Sequence, residues 1–212
     1  MAKLTFEISM SLDGFVAGPN QSGDEPLGEG GMQLHEWIFG LAAWRERQGL
    51  EGGERNMDSQ LIEDSIARVG ATIMGKRMFG GGDGPWGDEP WEGWWGDEPP
   101  FGHPVFVLTH HPREPLVKGH TTFTFVEGIE PALEQALAAA GGKDVGIGGG
   151  ANVGQQYMKA GLLDELQIHL VPVLLGGGVP LFEGLEAVAL EPASAVASPA
   201  VTHLSYRVGL KP

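Results

Sequence analysis

The sequence predicts a three-layer α/β domain that has a mostly parallel central sheet and an antiparallel edge at its C-terminus. Through most of the chain, short β-prone runs alternate with apolar residues at helical spacing, an order typical of parallel sheets. From residue 166 onwards the chain is rich in β-prone residues, which favour an antiparallel addition at one edge. Because no shift in composition marks a boundary, residues 1–212 are predicted to form a single domain.

The individual elements follow from pattern and from turn residues. Strands are predicted over residues 3–10, 71–74, 104–109, 121–126, 166–175 with an interruption at Pro172, 180–182, 187–190 and 203–210. The 104–109 run is too apolar for an edge strand. Helical spacing predicts one helix over residues 34–44 and another over residues 61–69, for which Asp58 is the expected N-cap. A third helix is expected over residues 131–140, ended by Gly141 and Gly142.

The amino-acid composition limits the kinds of molecule that this protein is expected to bind. A net charge of −15 argues against nucleic acids and anionic membranes, because both repel an acidic surface. The chain has no cysteine, which excludes disulfides, a thiolate nucleophile and a zinc–cysteine site. With no long apolar run and no signal-peptide pattern, we expect a soluble cytoplasmic protein.

Residues 144–153, which read Asp-Val-Gly-Ile-Gly-Gly-Gly-Ala-Asn-Val, are the most informative stretch of the chain. A β-prone run ends in Gly148, Gly149 and Gly150, and a helical pattern follows. Such a turn directs backbone N–H groups outward at the positive end of a helix dipole, and glycine lets an anion approach the backbone. The stretch therefore favours a phosphate site over a ligand-free turn.

The same stretch meets the dinucleotide-binding fingerprint as Gly146-x-Gly148-x-x-Ala151. That fingerprint needs an acid at the carboxyl end of the next strand to hold a ribose. Here Asp164 and Glu165 come before the next predicted strand, so we reject an ordinary Rossmann domain and keep the phosphate-binding helix.

Two other strand ends carry residues that suit phosphate. Gly75 follows a buried strand and precedes Lys76 and Arg77, and arginine pairs with phosphate in bidentate fashion. Thr109 and His110 follow the 104–109 strand. Because the carboxyl ends of parallel strands meet at one edge, the three segments are expected to converge there. No acid cluster lies near the histidines, so a metal site is rejected.

A tryptophan-rich loop contains the repeat 86–90 and 95–99, each reading Trp-Gly-Asp-Glu-Pro, together with Trp91 and Trp94. One interpretation is a lid or wall that stacks on a flat ring. The other is a subunit contact or a loop packed on itself. The sequence leaves both open.

With these motifs in place, the chain resembles the dihydrofolate reductase superfamily, and most closely the stand-alone relatives of the reductase domain of the riboflavin-pathway deaminase–reductase. The resemblance is carried, in the family's order, by Ser11-Leu-Asp-Gly-Phe-Val-Ala17, Ile73-Met-Gly-Lys-Arg-Met-Phe79, Pro104-Val-Phe-Val-Leu-Thr109, Ile147-Gly-Gly-Gly-Ala-Asn-Val153 and Leu163-Asp-Glu-Leu-Gln-Ile-His-Leu-Val-Pro-Val173. It implies a dihydrofolate-reductase-like fold that binds NADPH.

The resemblance also implies roles for single residues. Gly148, Gly149, Gly150, Ala151, Asn152 and Val153 would hold the pyrophosphate, with a cis Gly148–Gly149 bond. Lys76 or Arg77 beside Gly75, with Thr109 and His110, would hold the 2′-phosphate. The Ala17 backbone would lie near the nicotinamide carboxamide. Asp13, in the loop that closes over the nicotinamide, is the candidate catalytic residue, and a structural role in its own turn is the alternative.

The function expected from these arguments is an NADPH-dependent reductase of a small heteroaromatic or carbonyl substrate. One alternative is the 5-amino-6-(5-phosphoribosylamino)uracil reductase of riboflavin biosynthesis, although Gly148 stands where such reductases usually carry an acid. An alternative of another class is a non-catalytic nucleotide-binding protein. A homodimer is expected as well, because the apolar strand 166–175 and the β-rich tail offer a surface that a second subunit could cover.

Overall fold

The structure is a computed structural model that describes residues 1–80, 82, 84–88 and 91–209. Its strands are β1 (Leu4–Ser11), β2 (Phe15–Ala17), β3 (Val69–Gly75), β4 (Val105–Leu108), β5 (Leu116–Lys118), β6 (Thr121–Val126), β7 (Asp144–Ile147), β8 (Glu165–Val171), β9 (Val179–Pro180), β10 (Leu190–Ala197) and β11 (Thr202–Val208). Its helices are α1 (Glu36–Phe39), α2 (Ala42–Arg47), α3 (Met57–Arg68), α4 (Lys76–Phe79), α5 (Ile129–Ala139) and α6 (Ala151–Lys159), and a 3₁₀ turn covers Gly31–Leu34.

The chain forms two compact units, so that strand β1 begins in one and ends in the other. The first unit contains Met1–Phe6 and Arg68–Leu163, and the second contains Glu7–Ala67 and Asp164–Pro212. None of the helices in the described residues is both long enough and apolar enough to cross a membrane.

The sheet of the first unit is parallel except at one edge. Its strand order is β1-β7-β3-β4-β6-β5, and only β5 pairs in antiparallel fashion. The apolar strand β4 lies between β3 and β6, as predicted, and all of its residues except Leu108 are buried. Helix α6 packs closely on β1, because a Cβ on Gly154 would stand 2.1 Å from the Phe6 ring.

The second unit carries the antiparallel part of the fold. Strand β11 pairs with β8 on one side and β10 on the other, both in antiparallel fashion. The short strands β2 and β9 form a separate antiparallel pair. The predicted combination of a mostly parallel sheet with an antiparallel C-terminal edge is therefore confirmed.

Several element predictions need correction. The helix expected over residues 34–44 is instead the 3₁₀ turn, α1 and α2, because Leu41 is extended at φ −79° and ψ 141° and breaks the run. Asp58 is not an N-cap: it lies inside α3, and the Asn56 side chain accepts the Ser59 N–H at 3.0 Å. The strand expected over residues 187–190 begins only at Leu190 and runs to Ala197.

Other boundaries shift by a few residues. Strand β8 ends at Val171, directly before Pro172, so residues 173–175 lie outside it. The strand expected over residues 180–182 is the short pair Val179–Pro180, and β11 ends at Val208. Leu210, the last residue of the predicted final strand, lies outside the described residues.

Candidate active site

Three of the predicted site segments follow adjacent strands of the first unit. Strand β3 lies between β7 and β4, all parallel, with Ile73 opposite Ile147 and Gly75 opposite Leu108. The segments that begin at Gly148, Lys76 and Thr109 therefore leave the same edge of the sheet. This convergence, expected from the sequence, is confirmed, and ligands bind at this edge in open α/β folds.

Gly148 is tightly enclosed by strand β3. Its N–H donates to the Ile73 carbonyl at 2.8 Å, and a Cβ at this position would stand 2.7 Å from Thr72 Cγ2. The residue is therefore glycine for a packing reason. The Gly148–Gly149 peptide bond is trans, so the cis bond implied by the family resemblance is wrong.

Gly149 and Gly150 form the turn that opens helix α6. Their φ angles are +119° and +85°, a region that residues with a Cβ rarely adopt. Apart from its chain neighbours, a Cβ on Gly150 would meet no atom of the described residues within 4 Å, so this side of the first turn of the helix is open among them. Within the described residues no side chain caps this end of α6, so the N–H groups of its first residues have no side-chain acceptor. A phosphate group fits such a cradle.

The first residues of α6 contribute in different ways. Ala151 and Val153 are buried, so only their backbone can reach a ligand. Asn152 is exposed, and its Oδ1 accepts a hydrogen bond from Gln156 Nε2 at 2.7 Å. Val153 Cγ2 would lie 3.1 Å from a Cβ on Gly75, so that glycine keeps the helix close to the end of β3.

The neighbouring cations Lys76 and Arg77 have different surroundings. Lys76 is buried, and its ammonium donates to the carbonyls of Gly82 at 3.2 Å and Gly84 at 2.6 Å. The same ammonium lies 4.3 Å from the centre of the Trp86 ring. Arg77 is exposed. Lys76 thus contacts the adjacent loop, and the Arg77 side chain is exposed at the same edge of the sheet.

Thr109 and His110 follow β4 at the same edge. Thr109 is buried, and its Oγ1 accepts the His111 N–H at 3.0 Å, which leaves the hydroxyl hydrogen to be donated elsewhere. The His110 ring is exposed and lies 3.4 Å from Glu127 Oε1.

The tryptophan-rich loop packs on the first unit itself. Trp86 and Trp95 contact a buried aromatic cluster that includes Phe79, Phe123 and Phe125. The Trp91 and Trp94 indoles donate to the carbonyls of Phe79 and Met78, at 2.9 and 3.1 Å. Of the sequence alternatives, the structure thus supports the self-packed loop. Glu89 and Pro90, which end the first copy of the repeat, lie outside the described residues.

Arg113 completes this loop packing. Its guanidinium lies 4.0 Å from the Trp86 ring centre and 4.2 Å from that of Phe125, and it donates to the Trp91 carbonyl at 2.7 Å. Burial lowers the pKa of Arg113 although the charge of Glu92 opposes the shift. Stacking on two rings compensates this cation for the loss of water.

Asp13 and Ala17 lie in the second unit. The Asp13 carboxylate accepts hydrogen bonds from Ser11 Oγ at 2.6 Å, Gly176 N at 2.7 Å and Leu175 N at 3.1 Å. These bonds, that from Ser11 above all, lower the pKa of Asp13, so the group stays ionised at neutral pH and joins two loops. The contacts favour the structural alternative for Asp13 over a role as proton donor. Ala17 is buried at the end of β2.

The sequence reasoning missed a buried polar chain in the second unit. His169 lies between Glu7 and His203, and His203 contacts Asp58 in turn. The one signal for it was a histidine in each of two apolar strands, β8 and β11, which become cross-strand partners.

The chain is similar to known proteins in sequence and in fold. The family model for the RibD C-terminal domain matches residues 2–204. The chain belongs to this family. Membership makes it an oxidoreductase and supports the reductase activity that the sequence predicted.

Solved structures agree with the family assignment. A Shewanella sp. PV-4 protein provisionally assigned to riboflavin biosynthesis is 25% identical, with 99% of this chain and 100% of that one covered and a TM-score of 0.62. The riboflavin biosynthesis reductase Rib7 of Saccharomyces cerevisiae is 14% identical, with 98% and 90% covered and a TM-score of 0.55. The shared fold agrees with the predicted α/β class, in which a mostly parallel sheet carries an antiparallel edge.

A curated relative matches a shorter stretch of this chain. The uncharacterized protein YwjB of Bacillus subtilis is 37% identical over 62 residues, which are 29% of this chain and 36% of that protein. The match thus spans about a third of the length of this curated relative.

Proposed function

We propose that this protein is an NADPH-dependent reductase of a small heteroaromatic or carbonyl compound. The observation that carries the proposal is the open, glycine-lined start of α6 at the carboxyl edge of a parallel sheet. Gly150 leaves open space beside uncapped N–H groups, and two further strand ends supply Arg77 and Thr109. The family match adds the reductase class.

Within this proposal, Gly149, Gly150 and the backbone of residues 151–153 hold the pyrophosphate. Arg77 holds the 2′-phosphate, with Thr109 and His110 as further donors. When bound, the cofactor supplies a hydride to the substrate. Lys76 does not contact the phosphate and instead fixes the loop around Trp86, so that helix α4 and Arg77 keep their position.

A second candidate is the 5-amino-6-(5-phosphoribosylamino)uracil reductase. It is favoured by the full-length similarity, at 25% identity, to the Shewanella protein provisionally assigned to riboflavin biosynthesis. The structure supports no acid in place of Gly148, because Thr72 Cγ2 occupies the space into which its Cβ would point. We therefore place this substrate second.

Titration with the two cofactors tests the proposal. A phosphate paired with charged donors contributes about 1.5–3 kcal/mol, so NADPH should bind roughly 10- to 100-fold more tightly than NADH. Quenching of the intrinsic tryptophan fluorescence measures both dissociation constants. Equal constants would contradict the 2′-phosphate assignment, and no binding of either would contradict the function. An NADPH-oxidation screen against pterins, the uracil–sugar intermediate, quinones and flavins then identifies the substrate.

The homodimer and the cytoplasmic location stay predictions. Strand β10 forms one edge of its sheet, and most of its residues are exposed in the single chain, which suits a subunit contact.

A further inference from the structure

Helix α4 carries Arg77, the residue proposed to hold the 2′-phosphate, and it is only four residues long. Such a helix makes few bonds within itself, because helices shorter than about 12–15 residues are marginal in water without outside contacts. The positions of Arg77 and of the neighbouring Met78 therefore depend on what binds this helix from outside. The last carbonyl groups of a helix have no partner within it, so they are available for such contacts.

Two tryptophans of the neighbouring loop bind these carbonyl groups. The Trp94 indole N–H donates to the Met78 carbonyl at 3.1 Å, and the Trp91 indole N–H donates to the Phe79 carbonyl at 2.9 Å. The Gly80 N–H donates to the two remaining carbonyls of the helix, at 3.0 Å each. All four carbonyls of α4 thus accept a hydrogen bond, and the two at its C-terminal end accept it from indoles.

The two indoles fit closely around Gly80. This residue ends α4 at φ +94°, in the left-handed region that favours glycine. A Cβ on Gly80 would stand 2.5 Å from Trp94 Nε1 and 2.6 Å from Trp91 Nε1, so a side chain there would displace both N–H groups. The two rings also contact each other, with centres 4.9 Å apart. Trp91, Trp94 and Gly80 therefore form one structure at the end of the helix, hereafter the tryptophan cap.

Burial alone does not explain why tryptophan occupies these two positions. Trp91 and Trp94 are 42% and 43% exposed, whereas Trp86 and Trp95 of the same loop pack on the buried aromatic cluster. A half-exposed ring gains only part of the free energy that full burial would give, and the indole N–H is a donor that phenylalanine lacks. The contacts therefore assign Trp91 and Trp94 to the helix end rather than to the core.

The tryptophan cap is anchored to the core of the first unit. The Trp91 carbonyl accepts a hydrogen bond from Arg113 at 2.7 Å, and the Arg113 guanidinium lies 4.2 Å from the centre of the Phe125 ring. At the start of α4, the Lys76 ammonium binds two carbonyls of the same loop. The loop thus holds the helix at both ends.

Helix α4 also contacts the glycine turn of the candidate cofactor edge. A Cβ on Gly149 would stand 3.3 Å from Met78 Sδ, so the Met78 side chain lies directly beside this turn. The carbonyl of the same methionine is the one that Trp94 binds. A shift of α4 would therefore move Arg77 and also the side chain that borders the turn.

We propose that Trp91 and Trp94 are positioning residues for the cofactor, which hold Arg77 at the 2′-phosphate and Met78 against the Gly149 turn. The inference rests on the proposed function, which assigns the phosphate contact to α4. Neither indole needs to touch the cofactor for this role. Loss of the tryptophan cap lets α4 move, so the contact specific to NADPH weakens more than the contacts that NADPH and NADH share.

Variants that remove the indole N–H test the proposal. The double variant of Trp91→Phe and Trp94→Phe keeps an aromatic ring at each position and removes both bonds to α4. It should lower the ratio of the NADPH and NADH affinities by about 10-fold, because a displaced Arg77 loses most of a charge-assisted hydrogen bond. Isothermal titration calorimetry measures both dissociation constants without use of tryptophan fluorescence.

Trp95→Phe is the matched control from the same loop. The Trp95 ring packs on Phe101 and Phe123, and within the described residues its indole donates no hydrogen bond. This variant loses ring area in the core but leaves the tryptophan cap in place, so it should keep the wild-type ratio of the two affinities.

A measurement on the wild-type protein covers the case in which the double variant does not fold. In protein labelled with ¹⁵N-tryptophan, the single variants Trp91→Phe and Trp94→Phe assign the two indole N–H resonances. NADPH should shift both resonances further than NADH does and slow their exchange with water, because the 2′-phosphate contact steadies α4.

A double variant that keeps the wild-type ratio would overturn the proposal. An equal loss of the ratio in Trp95→Phe would do so as well, because packing alone would then explain it. If the double variant does not fold, wild-type indole resonances that respond equally to NADPH and NADH are the result that counts against the tryptophan cap. Failure of the proposed function is a different result, in which the wild-type protein binds neither NADPH nor NADH.

Discussion

The candidate cofactor edge of the first unit and the buried polar chain of the second unit, formed by Glu7, His169, His203 and Asp58, use different chemical groups. The cofactor edge offers the uncapped backbone N–H groups at the start of α6, which do not titrate. In the buried polar chain, titratable carboxylates and imidazoles make the contacts that join Glu7 to Asp58. The first region should therefore respond to changes of shape, and the second to changes of charge.

The largest expected effect concerns shape at the cofactor edge. Gly150→Val should abolish NADPH binding, because its branched side chain would fill the open space beside the first turn of α6. Gly142→Val is a strain-matched control, since the two φ angles are +85° and +84° and neither Cβ would meet an atom of the part of the chain that the structure describes within 4 Å, chain neighbours aside. Both variants should lose about 1–3 kcal/mol of stability. Fluorescence titration and urea unfolding measure the two effects.

If both valine variants bind NADPH as wild type does, the open space at Gly150 does not belong to the cofactor site. If both lose binding, strain alone explains the result, and the contrast between the two regions loses its support at this edge.

The next largest effect concerns the buried polar chain of the second unit. Asp58→Ala removes the acceptor of His203 Nε2 and leaves a buried donor without its partner. Leaving a buried hydrogen-bonding group without its partner should cost about 1–3 kcal/mol of the free energy of unfolding. Glu63→Ala, an exposed site on the same helix, should change it by less than about 0.5 kcal/mol. Urea unfolding at pH 7 measures the free energy of unfolding of both variants. A loss for Asp58→Ala as small as that for Glu63→Ala would contradict a paired, buried Asp58.

The two regions also differ in how far the sequence could predict them. The cofactor edge was predicted because its signals are local: three glycines, a following helix and strand ends whose convergence parallel pairing dictates. The buried polar chain joins Glu7 to His169 across 162 positions, and a single polar residue in an apolar strand does not reveal its partner. Such contacts depend on strand register, which is set by the whole sheet.

Local errors have a similar origin. Apolar spacing over residues 34–44 suits a helix, but backbone bonds from Ala42 and Glu54 tie this stretch to residues 54 and 40 and break the run. Asp58 has good N-cap chemistry, yet Asn56 occupies a better position and Asp58 pairs with a distant histidine. In both cases a tertiary contact outweighs the local preference.

The smallest effect divides two neighbouring residues at the cofactor edge. Arg77→Ala should weaken NADPH binding by about 1.5–3 kcal/mol and leave NADH binding unchanged, because only NADPH carries the 2′-phosphate. Lys76→Ala should leave the ratio of the NADPH and NADH affinities unchanged. It should instead lower the free energy of unfolding by about 1–3 kcal/mol, because the contacts of Lys76 to the carbonyls of Gly82 and Gly84 are lost. Paired titrations and urea unfolding of both variants decide the point. If Lys76→Ala instead removes the preference for NADPH, Lys76 binds the 2′-phosphate, and its contacts to the loop are not its main role.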